Sequence, residues 1–155
     1  MNEAREGLEG VKIVPLKKFP DVRGTIMHGV RKDNLLNEFG EVYFKRLYQG
    51  IINGWHVHQT LVLNYICVYG MVKIVLYDLR KKSATYKKFQ EVCFGEDNYC
   101  LVHIPPLIAN ASQGLWAPFS IVCNVTSEPH NPNLKYQRID PHSKEIPYDW
   151  TKKDF

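Results

Sequence analysis

The chain has 155 residues, and 45% of them are hydrophobic, which is enough to bury one core without metal or disulfide cross-links. We therefore expect a single domain over residues 1–155, and because the formal net charge of +4 is scattered along the sequence, no nucleic-acid partner. No apolar run approaches the roughly 18 residues that cross a bilayer, and four cysteines without a CxxC spacing indicate a reduced, cytoplasmic protein with no membrane partner.

Short runs of β-branched and aromatic residues recur along the chain, bounded by glycine, proline or asparagine. Strands are predicted at 11–16, 24–30, 41–48, 63–69, 71–79, 87–94, 99–104 and 119–126. A tight turn is predicted at Gly70, and the proline-rich tail after Pro129 is expected to form an ordered loop over a sheet. Since the chain has no convincing amphipathic helix, the pattern predicts an all-β sandwich or barrel.

Two histidines, His56 and His58, stand at the head of the apolar run 53–70. In an extended strand alternate side chains share a face, so both rings should look into the same space. Their spacing matches part of the metal-binding pattern of cupin barrels, in which a glutamate and a further histidine complete the ligands. Leu63 and Asn110 occupy those two positions. A catalytic zinc or iron site normally has three protein ligands, and this pattern supplies only two imidazoles. We therefore expect no bound metal.

Six fragments follow one another in an order and spacing that cover nearly the whole chain. They are "FPDVRG" (19–24), "NGWHVHQ" (53–59), "VYGMVKIVLYDLRKKSATY" (68–86), "IPPLIANAS" (104–112), "NVTSEPHNP" (124–132) and "IDPHSKEIPYDW" (139–150). Together they resemble the dTDP-4-dehydrorhamnose 3,5-epimerase family. The resemblance implies a cupin double-stranded β-helix, that is, a jelly-roll barrel. It also implies a homodimer without metal or cofactor that acts on nucleotide-diphosphate-linked 4-keto sugars.

The chemistry of that family needs a general base. Epimerisation next to a ketone removes a C–H proton, which gives an enolate, and returns a proton to the other face. Imidazole suits this task because its ordinary pKa lies near neutral pH. By resemblance His56 is the base and Asp140 is the carboxylate that orients it. Arg23 matches an arginine associated with the nucleotide diphosphate, a role that suits a guanidinium group.

Several positions depart from the family pattern. Asn124 stands where the family has its general-acid tyrosine, Asn110 where it has a second imidazole, Asn53 where it has an arginine, and Leu63 where a lysine would lie near the enolate oxygen. Asn53, His58, Asn110 and Asn124 are therefore candidate substrate-binding residues, the first three as possible oxyanion donors. Tyr43, Tyr48 or Tyr65 could return the proton.

Two classes of function remain open from the sequence. The first is an isomerase: an epimerase acting at C3, C5 or both of a nucleotide 4-keto sugar, in deoxy-sugar and surface polysaccharide biosynthesis, with a 3,4-ketoisomerase as a variant. The second is a non-catalytic homologue that binds sugar nucleotides. An oriented base favours the first class, whereas Asn124, Asn110 and Leu63 favour the second.

Overall fold

The computed structural model describes residues 7–32, 36–134 and 136–151, which form strands and connecting loops with no helix. The strands are β1 (Lys12–Pro15), β2 (Lys18–Asp21), β3 (Gly24–Met27), β4 (Glu41–Tyr48), β5 (Ile52–His58), β6 (Leu63–Tyr69), β7 (Met71–Asp78), β8 (Phe89–Gly95), β9 (Cys100–Ile104), β10 (Ile108–Gly114), β11 (Phe119–Thr126) and β12 (Tyr136–Arg138). Each of the eight predicted runs overlaps a strand, whereas β2, β5, β10 and β12 lie outside those runs. Of these four, β5 carries the histidine pair, for which an extended strand is considered.

Ten of the strands form two five-stranded antiparallel sheets. The first sheet has the order β1-β9-β6-β11-β4, the second has the order β12-β5-β10-β7-β8, and β2 and β3 form a separate hairpin. Strands that are distant in sequence are neighbours in both sheets, as in a jelly roll. Gly70 turns the chain from β6 into β7 with a positive φ of 75°, a conformation that glycine adopts without steric cost.

The main hydrophobic core lies between the two sheets. Tyr65 and Cys67 of the first sheet pack in one cluster with Val72 and Ile74 of the second. Burial of such side chains contributes about 1.5–3 kcal/mol each for the large aliphatic and aromatic residues. This packing holds the two sheets face to face. It thereby fixes the positions of the side chains at the open end of the barrel.

The C-terminal segment covers the outer face of the second sheet. Ile146 and Trp150 pack there against Trp55 and Val75, and Trp55 is fully buried. The predicted ordered tail is therefore present, and part of it pairs with β5 as the strand β12. This pairing brings Tyr136 beside the two histidines of β5.

Candidate active site

A cavity of about 420 Å³ opens at one end of the barrel, between the two sheets. Its walls come from β4 and β6 on one side, from β5 and β12 on the other, and from the loop 126–134. His56 and His58 both line it, which confirms that the two rings share one face of their strand.

The ring of His56 is held at both nitrogens. Its Nε2 lies 2.5 Å from the amide oxygen of Asn53, and its Nδ1 bonds the hydroxyl of Tyr136. An amide oxygen can only accept, so Nε2 carries the hydrogen and Nδ1 has the lone pair. Tyr136 consequently donates to Nδ1, and its ring stacks on His56 with centroids 5.6 Å apart.

The environment keeps His56 uncharged. Burial, and then the positive charges of Lys45, His58 and Arg138, lower the pKa of His56 to about 4. Burial also lowers the pKa of His58. A neutral imidazole with a lone pair directed into a cavity can accept a proton at physiological pH.

Three polar side chains form a row on the opposite wall. The strand register places Tyr43 of β4 against Asn124 of β11, and Asn124 against Tyr65 of β6. The amide nitrogen of Asn124 donates to the Tyr43 hydroxyl at 2.9 Å, and its oxygen accepts from the Asn64 backbone at 3.1 Å. The family position of the acid therefore lies between two tyrosines.

Tyr43 and Tyr65 both line the cavity, and Tyr43 is the more exposed of the two. Burial, and then the charge and hydrogen bond of Tyr43, raise the pKa of Tyr65 well above its ordinary value. Either hydroxyl of this pair can be the donor. The Tyr43 hydroxyl is thus hydrogen-bonded to both Asn124 and Tyr65, and at 40% exposure it is more accessible than Tyr65 at 4%. Tyr48, the other candidate on β4, is 56% exposed and points to the outer face.

Lys45 also lines the cavity, and the sequence analysis did not predict it. It is half-buried, and its ammonium group lies 5.2 Å from the centroid of the Tyr65 ring. Burial lowers the pKa of Lys45 to about 8. The alternation of β4 carries a signal for this residue, because Glu41, Tyr43 and Lys45 are polar residues at alternate positions and so fall on one face of the strand.

The predicted substrate-binding asparagines lie at different depths. Asn53 lines the cavity, whereas Asn110 and Asn124 are 1% and 0% exposed and lie behind its wall. Asn110 donates to the backbone oxygen of His56 at 3.1 Å, and Asn124 supports Tyr43. Asn110 therefore holds the backbone at His56 and Asn124 holds the Tyr43 hydroxyl, and neither amide is among the side chains that line the cavity.

The structure does not bring Asp140 to the ring of His56. Asp140 follows β12 at the start of a turn, and its carboxylate accepts from the backbone of His142 at 2.7 Å, as aspartate often does in turns. Asn53 and Tyr136 occupy the imidazole nitrogens in its place. The pairing of His56 with Asp140, expected from the family, is absent from this single chain.

Arg23 lies at the tip of the β2–β3 hairpin and outside the cavity of its own chain. Its guanidinium pairs with Asp21 at 2.6 Å, and its side chain is 86% exposed. Within the described residues no group of three histidine, cysteine, aspartate or glutamate side chains is arranged to hold a metal ion. The same residues contain no helix long and apolar enough to cross a membrane.

The fold resembles solved structures of sugar isomerases. The chain matches a dTDP sugar isomerase from Desulfovibrio desulfuricans with a TM-score of 0.89 and 29% sequence identity, over 95% of this chain and 94% of that chain. The class of protein is thus a jelly-roll sugar-nucleotide isomerase, and the predicted all-β cupin fold is confirmed.

Sequence comparisons identify the family. The profile of dTDP-4-dehydrorhamnose 3,5-epimerase matches residues 5–155, and the chain belongs to that family. The spore coat polysaccharide biosynthesis protein SpsL of Bacillus subtilis is 33% identical over 144 residues, 92% of this chain and 91% of that protein. A probable low-salt glycan biosynthesis epimerase of Haloferax volcanii is 25% identical over 145 residues, 92% of this chain and 89% of that protein. The predicted family and the predicted class of enzyme, an epimerase, are confirmed.

Proposed function

We propose that the protein epimerises a nucleotide-diphosphate-linked 4-keto sugar at C3, C5 or both, with His56 as general base and Tyr43 as general acid. One observation carries the proposal: a neutral imidazole and a doubly hydrogen-bonded phenol line opposite walls of one cavity. The relatives are named for spore coat polysaccharide and glycan biosynthesis. We therefore assign the reaction to the supply of a deoxy sugar for a surface polysaccharide or glycan.

The first step is proton removal by His56. Nδ1 takes the proton from the carbon next to the ketone, and the C–H electron pair forms an enolate whose negative charge lies on the former carbonyl oxygen. The Tyr136 hydroxyl occupies Nδ1 in the unliganded cavity, so it must give way to the substrate. Asn53 retains the Nε2 hydrogen and holds the ring in this tautomer.

The second step is proton return by Tyr43. Its hydroxyl proton goes to the same carbon from the opposite face, and the enolate collapses to a ketone with inverted configuration. The phenolate that remains keeps the hydrogen bonds from Asn124 and Tyr65, which stabilise its charge. Exchange with solvent returns the imidazolium and the phenolate to their starting states, so the net reaction inverts one centre.

The nucleotide-binding role of Arg23 calls for a second subunit. We propose a homodimer in which the β2–β3 hairpin of one chain reaches the cavity of the other. The hairpin exposes apolar side chains, with Phe19 at 50%, Val22 at 104% and Ile26 at 69% exposure, and it carries Arg23 at its tip. A projecting apolar hairpin is a typical element of an interface between subunits.

We place the protein in the cytoplasm, where nucleotide sugars are available. Its cysteines, Cys67, Cys93, Cys100 and Cys123, are all free thiols, and three of them are buried. Buried thiols without disulfides suit a reducing compartment.

Deuterium wash-in tests the assignment of base and acid. The protein is incubated in deuterated water with a dTDP-4-keto-6-deoxyhexose, and deuterium at C3 and C5 is measured by NMR. His56→Asn should abolish wash-in. Tyr43→Phe should keep exchange with retention but stop inversion. Tyr48→Phe, on the outer face of the same strand, is the matched control and should behave as the wild type.

Other results would point to the other classes of function. The wild type could bind the nucleotide sugar without any deuterium entering the sugar, and His56→Asn could bind it equally well. This pair of results would make the protein a non-catalytic binding homologue. A 3-keto product would make it a ketoisomerase. Equal inversion by Tyr43→Phe and the wild type would remove Tyr43 from the mechanism.

A further inference from the structure

The proposed reaction passes through an enolate, and the family position for its cation is filled by a hydrocarbon. Leu63 replaces the lysine there, is 1% exposed and packs in the main core with Ile104 and Ile108. A developing enolate oxygen needs a hydrogen-bond donor or a positive charge to stabilise it. The group that stabilises it must therefore come from another strand.

Lys45 lies where such a group is needed. It is two residues from Tyr43 on β4, so both side chains leave the strand on the same face and line the same cavity. Its ammonium group lies over the Tyr65 ring, 5.2 Å from the centroid. Its charge acts on His56 across the cavity and lowers the pKa of that imidazole. Lys45 is thus adjacent to the base and to the acid.

No ion pair joins Lys45 to a carboxylate among the described residues, although Glu41 and Glu128 line the same cavity. A half-buried cation without an anionic partner is destabilising for the fold. Unpaired charges of this kind concentrate at functional sites. The natural partner for Lys45 is therefore an anion that exists only when substrate is present.

We propose that Lys45 stabilises the enolate oxygen, so that the oxyanion function of the family has moved from β6 to β4. This inference rests on the proposed epimerase function. The ammonium group donates a hydrogen bond to the carbonyl oxygen, and that bond strengthens as the proton leaves carbon for His56. Lys45 keeps its own proton throughout, and the negative charge disappears when Tyr43 protonates the carbon.

The test compares neutral and charged side chains at position 45. Lys45→Met and Lys45→Gln should slow deuterium wash-in by about 10²–10³-fold, the usual loss when an oxyanion donor is removed. Lys45→Arg should retain more activity than either, because it keeps the charge. The dissociation constant for dTDP should stay close to that of the wild type in all three, since the nucleotide does not carry the enolate.

Lys73→Met provides the matched control. Lys73 is also a strand lysine over aromatic rings, 5.4 Å from Tyr148 and 5.3 Å from Trp150, but it lies outside the cavity. Its wash-in rate should equal that of the wild type. Thermal melting of each variant separates unfolding from lost chemistry. Lys45→Met should melt at or above the wild-type temperature because it removes an unpaired, half-buried charge.

Two results would overturn the proposal. Wild-type wash-in in folded Lys45→Met and Lys45→Gln would show that Lys45 has no part in the chemistry. Weaker dTDP binding with an unchanged maximal rate would make Lys45 a phosphate ligand. Both results leave the epimerase function standing provided that the wild type incorporates deuterium and His56→Asn does not, so the two failures are distinguishable.

Discussion

Asn53 offers the ring of His56 a neutral amide oxygen, 2.5 Å from Nε2, where the family pattern led us to expect a carboxylate. An amide fixes the tautomer as a carboxylate does, but it stabilises the imidazolium less after the proton arrives. Burial, and then the positive charges of Lys45, His58 and Arg138, lower the pKa of His56 to about 4, and the neutral amide brings no negative charge to oppose them. The base is correctly oriented but weak.

The first prediction strengthens that base. Asn53→Asp places a carboxylate on Nε2, which should raise the pKa of His56 by about 1–3 units and speed wash-in at pH 7 by about tenfold. The pKa is read from the imidazole NMR shift and the rate from deuterium incorporation. Asn53→Ala, which removes the acceptor, should slow the reaction. Loss of wash-in in Asp140→Asn, with no effect of Asn53→Asp, would instead make Asp140 the orienting group.

The second prediction concerns the pH dependence of kcat/KM. The pKa of His56 is lowered to about 4. Above that pH the ring is neutral and can act as a base, whereas below it the ring is protonated and cannot. Lys45 has a pKa lowered to about 8, so its charge is present below that pH and lost above it. The rate should therefore be flat from about pH 5 to 7 and fall on both sides.

Lys45→Arg separates the two limbs of that profile. The arginine stays charged, so the alkaline fall should move above pH 10 while the acid limb stays in place. The other titratable groups lining the cavity are Glu41, Tyr43, His58, Tyr65, Glu128, His130 and Tyr136, and they are common to both proteins. An alkaline limb that remains near pH 8 in Lys45→Arg would assign it to one of these groups.

The strand propensity of the residues and the alternation of apolar and polar side chains predicted some strands closely and missed others. β4, β6 and β11 begin and end at the predicted residues, because their β-branched and aromatic residues favour a pleated surface. β10 contains Asn110, Ser112 and Gly114, which have low strand propensity. It forms because β5 and β7 pair with it on both sides, a tertiary effect that a local pattern does not contain.

The same limit applies to the candidate site. The spacing within β5 was enough to predict that His56 and His58 share a face. The row of Tyr43, Asn124 and Tyr65 depends on the register of three strands that are far apart in sequence. The sequence showed that position 124 lacks the family's tyrosine and left Tyr43, Tyr48 and Tyr65 as candidates, but it did not show that Tyr43 and Tyr65 flank Asn124. The alternation of β4 places Lys45 on the same face as Tyr43, but it does not show that this face meets the cavity.

The third prediction compares two turn glycines with nearly the same φ, Gly70 between β6 and β7 and Gly50 between β4 and β5. Gly70 and Gly50 have φ values of 75° and 76°. A Cβ on Gly70 would lie 2.7 Å from the Ser120 hydroxyl oxygen and 2.9 Å from the Trp116 Cβ, whereas Gly50 has open space. Gly50→Ala should cost about 1–2 kcal/mol from backbone strain, and Gly70→Ala about 1–3 kcal/mol more from overpacking.

Urea unfolding of both variants measures this difference. Equal free energies of unfolding for Gly50→Ala and Gly70→Ala would show that Ser120 and Trp116 move aside without cost. Neither glycine lines the cavity, so the wash-in rate per folded molecule should be unchanged in both variants.

At the scale of the whole molecule, the outer faces of the two sheets are covered unequally. The C-terminal segment covers the second sheet, but on the first sheet the edge strand β4 leaves Val42 at 48% and Phe44 at 65% exposure. The β2–β3 hairpin is also apolar and exposed. The proposed dimer, with sites shared between subunits, would cover these surfaces and bring Arg23 to a cavity.

Subunit complementation is the last prediction. If each site combines its own His56 with the partner subunit's Arg23, a mixed dimer of Arg23→Ala and His56→Asn chains has one intact site and one doubly defective site. Arg23→Ala alone should bind dTDP more weakly, with an effect that shrinks as salt rises, and His56→Asn alone should be inactive. Co-expression gives half mixed dimers, so wash-in at low substrate should recover to about one quarter of the wild-type rate per chain. If Arg23 instead acts in the site of its own chain, every site in the mixture lacks either Arg23 or His56, and no activity is recovered. Verified mixed dimers without recovered wash-in would therefore show that each site is formed by one subunit.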